Sequence, residues 1–241
     1  MIYLISDIHG CYEEYRELLE KINFCDSDEL YILGDIMDRG PEPIKVLQDL
    51  MFRPNVYLIL GNHDYIAWKI LKKFNVEITE DNVSSHLSKE DIEDYLYWIE
   101  DGGKTTMEAF RRLKSEEKIE ILEYLEEASI YEEIFLNGKT YICTHGDIHG
   151  AHDGKALEEH HFSHFLFYRA KYEQRYYSDE NIHVVTGHTP TMLLNKDGSA
   201  KVYEAQGHIA IDCGCVYGKR LAAYCLNNKN IVYVDAKKKY W

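Results

Sequence analysis

The chain has 241 residues, of which 45% are hydrophobic and 29% are charged, and its formal net charge is −15. This composition is typical of a soluble globular protein, and the length suffices to bury a core without disulfides. The acidic balance argues against nucleic acid or acidic membranes as partners, since both bind basic surfaces. No apolar run approaches the roughly 18 residues of a membrane span, and the opening MIYLISD reaches an aspartate too early for a signal peptide. We therefore expect a cytoplasmic protein.

The first third of the chain alternates apolar runs with amphipathic stretches. The runs IYLI, LYILG and VYLILG predict strands at residues 2–5, 30–34 and 56–61. The intervening stretches predict helices over about residues 11–22, 41–52 and from 64 onward. This alternation favours a parallel sheet with covering helices. Each strand ends in a polar cluster, and ligands bind beyond the carboxyl ends of such strands, so we expect SDIHG, GDIMDRG and GNHD to converge on one site.

Residues 75–129 differ in character from the rest of the chain. Helical spacing occurs in DIEDYLYWI and KIEILEYLEEA, and residues 75–133 hold 18 acidic against 6 basic residues. We interpret this stretch as an acidic helical insertion in a single domain that covers residues 1–241. The insertion is either an ordinary solvated face or a lid that limits access to the site and repels polyanions.

Strand patterns return after the insertion. The segments YEEIFLN and KTYICTH flank Asn137-Gly138, a turn signal typical of a β-hairpin. A His-rich stretch at about residues 153–177 then predicts a helix. Further strand candidates follow at IHVVTG, HIAIDCG, RLAAYCL and IVYVDA.

The three polar clusters could together bind metal ions. They contain Asp7 and His9, then Asp35, then Asn62, which are oxygen and nitrogen donors suited to Mn, Fe or Zn. Each cluster alone is a weak pattern, whereas three in succession after predicted strands form a specific one. Cations at this site would also offset the negative charge that otherwise repels a phosphate substrate.

Five ordered motifs, SDIHG, GDIMDRG, GNHD, THGD and GHTP, resemble the signature of the PPP-type metallophosphatases within the calcineurin-like metallophosphoesterase superfamily. The likeness runs from residue 2 to about residue 225. It points to the small lambda-phage-type protein phosphatases and the diadenosine tetraphosphatase-like group. The resemblance implies a four-layer αββα sandwich. It also implies an enzyme with two divalent transition-metal ions, with Mn preferred and Fe or Zn as alternatives.

The resemblance implies a role for every residue that matches a motif. Asp7 and His9 would bind one metal, and Asp35 would bridge both ions because a carboxylate offers two separate oxygens. The other ligands, which would hold the second metal, are Asn62, His145 and His188.

Four further residues would act on the substrate. His63, oriented by Asp38, would protonate the leaving oxygen, since an adjacent carboxylate keeps an imidazole protonated and aligned. Arg39 would bind the phosphate through its two parallel N–H donors. Arg169, in the aromatic segment FLFYR, is a looser match to a second phosphate-binding arginine.

The tetrapeptide Asp-Ile-His-Gly occurs twice, at residues 7–10 and 147–150. In the second copy, His145 comes directly after the preceding strand, so Asp147 lies two residues further from the strand end. We therefore expect Asp147 to orient the ring of His145 through a hydrogen bond instead of binding a metal.

These motifs leave three functions open. The preferred one is a serine/threonine-type protein phosphatase in which hydroxide bound to the two metals attacks a phosphomonoester directly in line. The alternative is a dinucleoside polyphosphate hydrolase, which the segment IDCGCVYG favours. A catalytically silent metal-binding scaffold is disfavoured, because every expected ligand is present. The expected partner is thus a phosphorylated protein or a small nucleotide, and the sequence leaves the oligomeric state open.

Overall fold

The computed structural model describes residues 1–76, 87–148 and 156–241. Its strands are β1 (Ile2–Ile5), β2 (Glu29–Leu33), β3 (Val56–Ile59), β4 (Tyr131–Leu136), β5 (Lys139–Thr144), β6 (Ile182–Thr186), β7 (Tyr203–Ala205), β8 (His208–Ala210), β9 (Arg220–Cys225) and β10 (Ile231–Asp235). Its α-helices are α1 (Tyr12–Lys21), α2 (Pro43–Met51), α3 (Asn62–Phe74), α4 (Lys89–Trp98), α5 (Lys104–Phe110), α6 (Ser115–Glu127) and α7 (Phe162–Phe167).

The first sheet has the strand order β10-β9-β1-β2-β3. Strands β1, β2 and β3 run parallel, with Ile5 opposite Ile32 and Ile32 opposite Leu58. Strand β9 pairs antiparallel with β1, and β10 pairs antiparallel with β9. The predicted parallel β-α-β alternation is therefore confirmed, and the three polar clusters follow neighbouring strand ends.

The second sheet has the order β4-β5-β6-β8-β7. Strands β4 and β5 form the predicted hairpin, and Asn137 and Gly138 both have the positive φ angles, 51° and 75°, that such a tight turn requires. Strands β5, β6 and β8 are parallel, with Thr144 opposite Thr186. His145 and Gly187 therefore leave adjacent strands at the same edge.

Apolar side chains divide the molecule into layers. One core lies between the two sheets and contains Leu4 and Leu33 from the first sheet with Tyr141 and Val185 from the second. Another core buries the helices against the outer face of the first sheet, and a smaller one packs Phe165 of α7 against the second sheet. This is the four-layer αββα sandwich that the motifs implied.

The helical stretch predicted at residues 153–177 is much shorter in the described part of the chain. It contains a 3-10 turn at Leu157–Glu159 and the short helix α7. After α7 the backbone becomes extended at Tyr168, and the next residues lie on the second sheet. There the hydroxyl of Tyr172 bonds to Thr186 Oγ1 at 2.9 Å. Burial of Tyr172 against the second sheet therefore prevents the helix that the local spacing predicted.

The acidic stretch is helical where the structure describes it, as predicted. Helices α4 and α5 are joined by a kink at Ile99–Gly103, where Asp101 and Gly102 leave the helical conformation, and α6 packs against α3. Residues 77–86 lie outside the described part. The assignment of residues 1–241 to one domain with an insertion at 75–129 stays a prediction. Among the described residues, no helix combines the length and the apolar character that crossing a membrane would require.

Candidate active site

The polar clusters meet because the loops that follow β1 and β2 are bonded to each other. The backbone N–H of Asp7 donates to Gly34 O at 3.0 Å, and that of His9 donates to Asp35 O at 2.8 Å. From the second sheet, the Gly187 N–H donates to His145 O at 3.1 Å. The carboxyl ends of both sheets therefore contribute to one cluster of polar side chains.

The backbone at this cluster is held in an uncommon conformation. Six of the residues singled out from the sequence have a positive φ, between 44° and 69°: Asp7, His9, Asp35, Asp38, Arg39 and His188. For a residue with a side chain, this left-handed region costs on the order of 1–3 kcal/mol and persists only where the surroundings enforce it. Their concentration at one place marks the cluster as a functional site.

Close packing of the loops requires glycine at two positions. A Cβ atom on Gly34, where φ is +76°, would lie 2.7 Å from His145 Nδ1, and a Cβ atom on Gly61 would collide with the Asp35 carboxylate. Glycines here let β2 and β3 bring Asp35 and Asn62 against His145.

One carboxylate oxygen lies between two imidazoles. Asp35 Oδ2 is 3.5 Å from His9 Nε2 and 3.4 Å from His145 Nε2. The ring of His9 is oriented by the Met37 carbonyl, which accepts from Nδ1 at 2.7 Å and leaves Nε2 directed into the site. Asp35 is thus placed where a bridging ligand would have to be.

Two groups of side chains have donor atoms close enough to bind metal ions. One comprises His9, Asp35 and His63, and the other comprises Asp35, His145 and His188, with all donor atoms of a group within 4.8 Å of one another. His63 belongs to the first group by distance, whereas the resemblance implies that it is a proton donor and not a ligand. Both groups share Asp35. Asn62 extends the second group, since its Oδ1 is 3.0 Å from His145 Nε2.

Asp7 also lies at the site, where its own loop and a neighbouring loop donate hydrogen bonds to it. Its Oδ2 accepts hydrogen bonds from the Ser6 hydroxyl and, at 3.1 Å, from the backbone N–H of His188. Burial, together with Asp212 and Asp35, raises the pKa of Asp7 well above its usual value. Asp7 therefore links the β1 loop to the His188 loop, and its role as a ligand stays a prediction.

The charges of the cluster are strongly coupled. Burial disfavours the charged form of His145, but Asp35 and Asp7 outweigh it and raise its pKa to about 10. Burial and the charge of His145 lower the pKa of His188 to about 3. A divalent cation would replace the proton on His145, because imidazoles bind metals in their neutral form.

The partner that orients His145 differs from the one expected. Its Nδ1 donates to the backbone carbonyl of Leu33 at 2.8 Å. Asp147 instead accepts a hydrogen bond at 2.7 Å from the hydroxyl of Tyr176. The Leu33 carbonyl on the facing sheet thus orients the ring of His145, as we had expected of Asp147. Residue 149 of the second tetrapeptide lies outside the described residues.

His63 and Asp38 form a buried pair at the edge of the cluster. His63 Nδ1 and Asp38 Oδ2 are 2.8 Å apart, and both residues are at least 98% buried. Burial alone would lower the pKa of His63, but Asp35 and Asp38 outweigh it and raise that pKa. The pair can hold a proton on His63 and leaves Nε2 facing the site.

The acidic helical stretch holds Asp38 in place. Trp98 Nε1 donates to Asp38 Oδ2 at 2.8 Å, and Thr106 Oγ1 donates to Oδ1 at 2.6 Å. The Asp38 N–H in turn donates to Thr106 Oγ1 at 2.9 Å. Sequence spacing alone could not reveal these contacts, because Trp98 and Thr106 lie about 60 residues or more from Asp38.

Arg39 lies over the site with only 13% of its side chain exposed. Its Nη1 donates to Tyr217 Oη at 3.1 Å and to His9 Nε2 at 3.0 Å. Its backbone N–H donates to Gly102 O at 2.9 Å. The guanidinium is therefore fixed beside the two candidate metal-binding groups, where it could contact a phosphate.

A family model described as calcineurin-like phosphoesterase matches residues 1–234. The chain is a calcineurin-like phosphoesterase. The five motifs therefore implied the correct family.

The phosphoesterase also shares sequence with curated proteins. Symmetrical bis(5'-nucleosyl)-tetraphosphatase from Erwinia tasmaniensis is 36% identical to it over 99 residues, which cover 40% of this chain and 36% of that protein. The protein of the same name from Buchnera aphidicola is 40% identical over 99 residues, with the same coverage. The alignment thus spans little more than a third of either relative.

Solved structures agree on the fold over a longer part of the chain. A candidate diadenosine tetraphosphatase superposes with a TM-score of 0.66 at 19% identity, covering 98% of this chain and 93% of its own. A protein serine/threonine phosphatase from Saccharomyces cerevisiae superposes with a TM-score of 0.59 at 14% identity, covering 98% and 80%. At these identities the likeness shows the fold alone.

Two further residues of the phosphoesterase, Arg169 and Asp64, lie near the site. Arg169 is exposed and follows α7, near enough to His188 to contribute to the lowering of its pKa, and its contact with substrate stays a prediction. Asp64, the last residue of the GNHD motif, accepts backbone N–H groups from Asp35, Ile36, Met37 and Gly61 at 2.7–3.0 Å. This carboxylate shapes the Asp35 loop.

Proposed function

We propose that this phosphoesterase hydrolyses a dinucleoside tetraphosphate. The observation that carries the proposal is the 36–40% identity to symmetrical bis(5'-nucleosyl)-tetraphosphatases. It favours the nucleotide substrate over the phosphoprotein that the motifs placed first, because the likeness to a serine/threonine phosphatase amounts to 14% identity. Symmetrical cleavage of diadenosine tetraphosphate would give two ADP molecules.

The donor set of the site suits two divalent transition-metal ions. Its carboxylate, amide and imidazole groups match Mn, Fe or Zn, and the Nδ1 atoms of His9 and His145 are already bonded to backbone carbonyls, as is usual for metal-bound histidines. We propose the ligand set Asp7, His9, Asp35, Asn62, His145 and His188. When bound, such cations lower the pKa of water towards neutrality and offset the charge of the phosphates.

The chain's own residues would bind the phosphate and supply the proton. Arg39 would hold oxygens of the scissile phosphoryl group through Nη1 and Nη2, and Arg169 would contact the next phosphate. His63 would donate the proton on Nε2 to the leaving phosphate oxygen, while Asp38 keeps the ring aligned through Nδ1.

A substrate panel with Mn²⁺ tests the proposal. We expect kcat/KM for diadenosine tetraphosphate to exceed that for p-nitrophenyl phosphate and for a phosphoserine peptide, with ADP as the sole nucleotide product. His63→Asn should reduce turnover of every substrate by about 10²-fold or more. Faster hydrolysis of the phosphopeptide would overturn the nucleotide assignment and restore the protein phosphatase.

A further inference from the structure

A groove of about 570 Å³ lies next to the phosphate-binding arginine. Pro41, two residues after Arg39, and Tyr240 are among the residues that line it. Trp241, which follows Tyr240, has its ring centroid 5.8 Å from Arg39 Cζ. The groove therefore adjoins the proposed phosphate site, and its size falls within the roughly 300–1,000 Å³ of small-molecule pockets.

The lining of the groove is poorly suited to a phosphate. The Glu13 carboxylate is paired with Lys237 Nζ at 2.6 Å, and Glu42 is paired with Lys45. Lys238 is stacked over the Tyr240 ring at 5.0 Å. With its acids largely balanced by their own lysines, the groove favours an uncharged, ring-containing ligand over an anion.

One buried carboxylate oxygen of the lining lacks a partner. Glu14 is fully buried, and one of its oxygens, Oε1, accepts from the Lys237 N–H at 2.9 Å. The other oxygen, Oε2, is buried and has no hydrogen-bond partner among the described residues. A buried acceptor of this kind costs free energy until a donor reaches it. A ligand with amino or hydroxyl donors would provide one.

We infer that this groove binds a nucleoside portion of the substrate, an inference that rests on the proposed function. The base packs against the rings of Tyr12 and Tyr240, which line the groove, and displaces the Lys45 and Lys238 ammonium groups that lie over these rings. An exocyclic amino group or a ribose hydroxyl donates to Glu14 Oε2. The phosphate chain extends from the groove towards Arg39, so the site selects for a nucleoside attached to the phosphates.

Two groove variants and one control test the assignment. In the Mn²⁺-loaded enzyme, Tyr240→Ala should raise KM for diadenosine tetraphosphate by about tenfold through loss of base stacking. The KM of this variant for p-nitrophenyl phosphate should stay unchanged. The nitrophenyl ring is bonded directly to the phosphate, so it does not extend into the groove. Glu14→Gln should act in the same direction. The control is Tyr97→Ala, which removes a 66% exposed ring outside the groove and should change neither KM.

Direct binding of AMP separates this inference from the proposed function. Calorimetric titration should show about tenfold weaker AMP binding in Tyr240→Ala, with inorganic phosphate bound as before. Unchanged AMP affinity and an unchanged KM in Tyr240→Ala would overturn the groove assignment, even if the tetraphosphate is cleaved. If the tetraphosphate is not cleaved while AMP binding still depends on Tyr240, the groove assignment stands and the proposed function fails.

Discussion

At the scale of single residues, His63, the proposed proton donor, depends on a carboxylate that is itself tightly held. Asp38 accepts hydrogen bonds from His63, Trp98 and Thr106, and both of its oxygens are engaged. Such a carboxylate cannot turn away from the imidazole without breaking other bonds. The orientation and the protonation of His63 are therefore set by the same contacts.

Asp38→Asn should slow turnover by about 10²-fold and narrow the pH range of activity. Asp38 helps to raise the pKa of His63 above its usual value, so removing its charge lowers that pKa. The basic limb of the kcat/KM profile should then move to lower pH. A pH–rate series checks this, with the surface variant Asp94→Asn as the control. A basic limb that stays in place would show that His63 is not the group that titrates.

Asp101 occupies a position that a substrate phosphate would compete for. Its two oxygens lie 3.4 Å from Arg39 Nη2 and 3.6 Å from His63 Nε2. Asp101→Asn should therefore lower the inhibition constant of inorganic phosphate by about fivefold, equivalent to ~1 kcal/mol. Glu100→Gln, an exposed neighbour with the same loss of charge, is the control. Weaker inhibition by phosphate in Asp101→Asn would mean that Asp101 positions Arg39 instead of competing for it.

At the scale of elements, the acidic helical stretch supports Asp38 and Arg39, two of the proposed site residues, from the side. The kink between α4 and α5 places Gly102 against Arg39, and these two helices supply Trp98 and Thr106 to Asp38. Whether it also acts as a lid stays a prediction. The support it gives to Asp38 and Arg39 is independent of any movement.

Gly102→Ala tests this support. Gly102 has a φ of +106°, and an added Cβ would lie 2.6 Å from Arg39 Cγ. We expect displacement of Arg39 and at least a tenfold loss of kcat/KM. Gly198→Ala is a matched control, because Gly198 also has a positive φ, +68°, but open space around it. Equal losses of activity in the two variants would attribute the effect to backbone strain alone.

The strands and the hairpin could be predicted from the sequence, because a short run of neighbouring residues determines each of them. The apolar runs before SDIHG, GDIMDRG and GNHD became parallel strands because each is buried in the sheet, and Asn137-Gly138 closed a hairpin because both residues accept a positive φ. The helix predicted over 153–177 was too long, because the contact of Tyr172 with Thr186 on β6 holds this part of the backbone in a non-helical conformation. Trp98 and Leu33 were missed as partners of site residues for the same reason, since long-range pairing leaves no local periodicity.

At the scale of the whole molecule, the site joins the two sheets. Asp7 and Asp35 come from the first sheet, His145 and His188 from the second, and their hydrogen bonds cross the interface between them. Binding of cations by this set would therefore stabilise the sandwich as a whole, because the ligands are brought together only when both sheets are in place.

Metal removal should lower the thermal stability of the protein. Mn²⁺ at 100 times its dissociation constant stabilises a folded protein by about 2.7 kcal/mol, which for a chain of this size raises Tm by roughly 5–10 °C. At a fixed Mn²⁺ concentration, the shift should be larger at pH 8 than at pH 6. The metal must displace a proton from His145, whose pKa is raised to about 10, and protons compete less strongly at pH 8. Melting curves with EDTA or Mn²⁺ measure the shift. Asp35→Asn should abolish the shift, whereas the control Asp94→Asn, which lies far along the chain in α4 and pairs with Lys69, should keep it. A shift retained in Asp35→Asn would place the cations outside the cluster around Asp35.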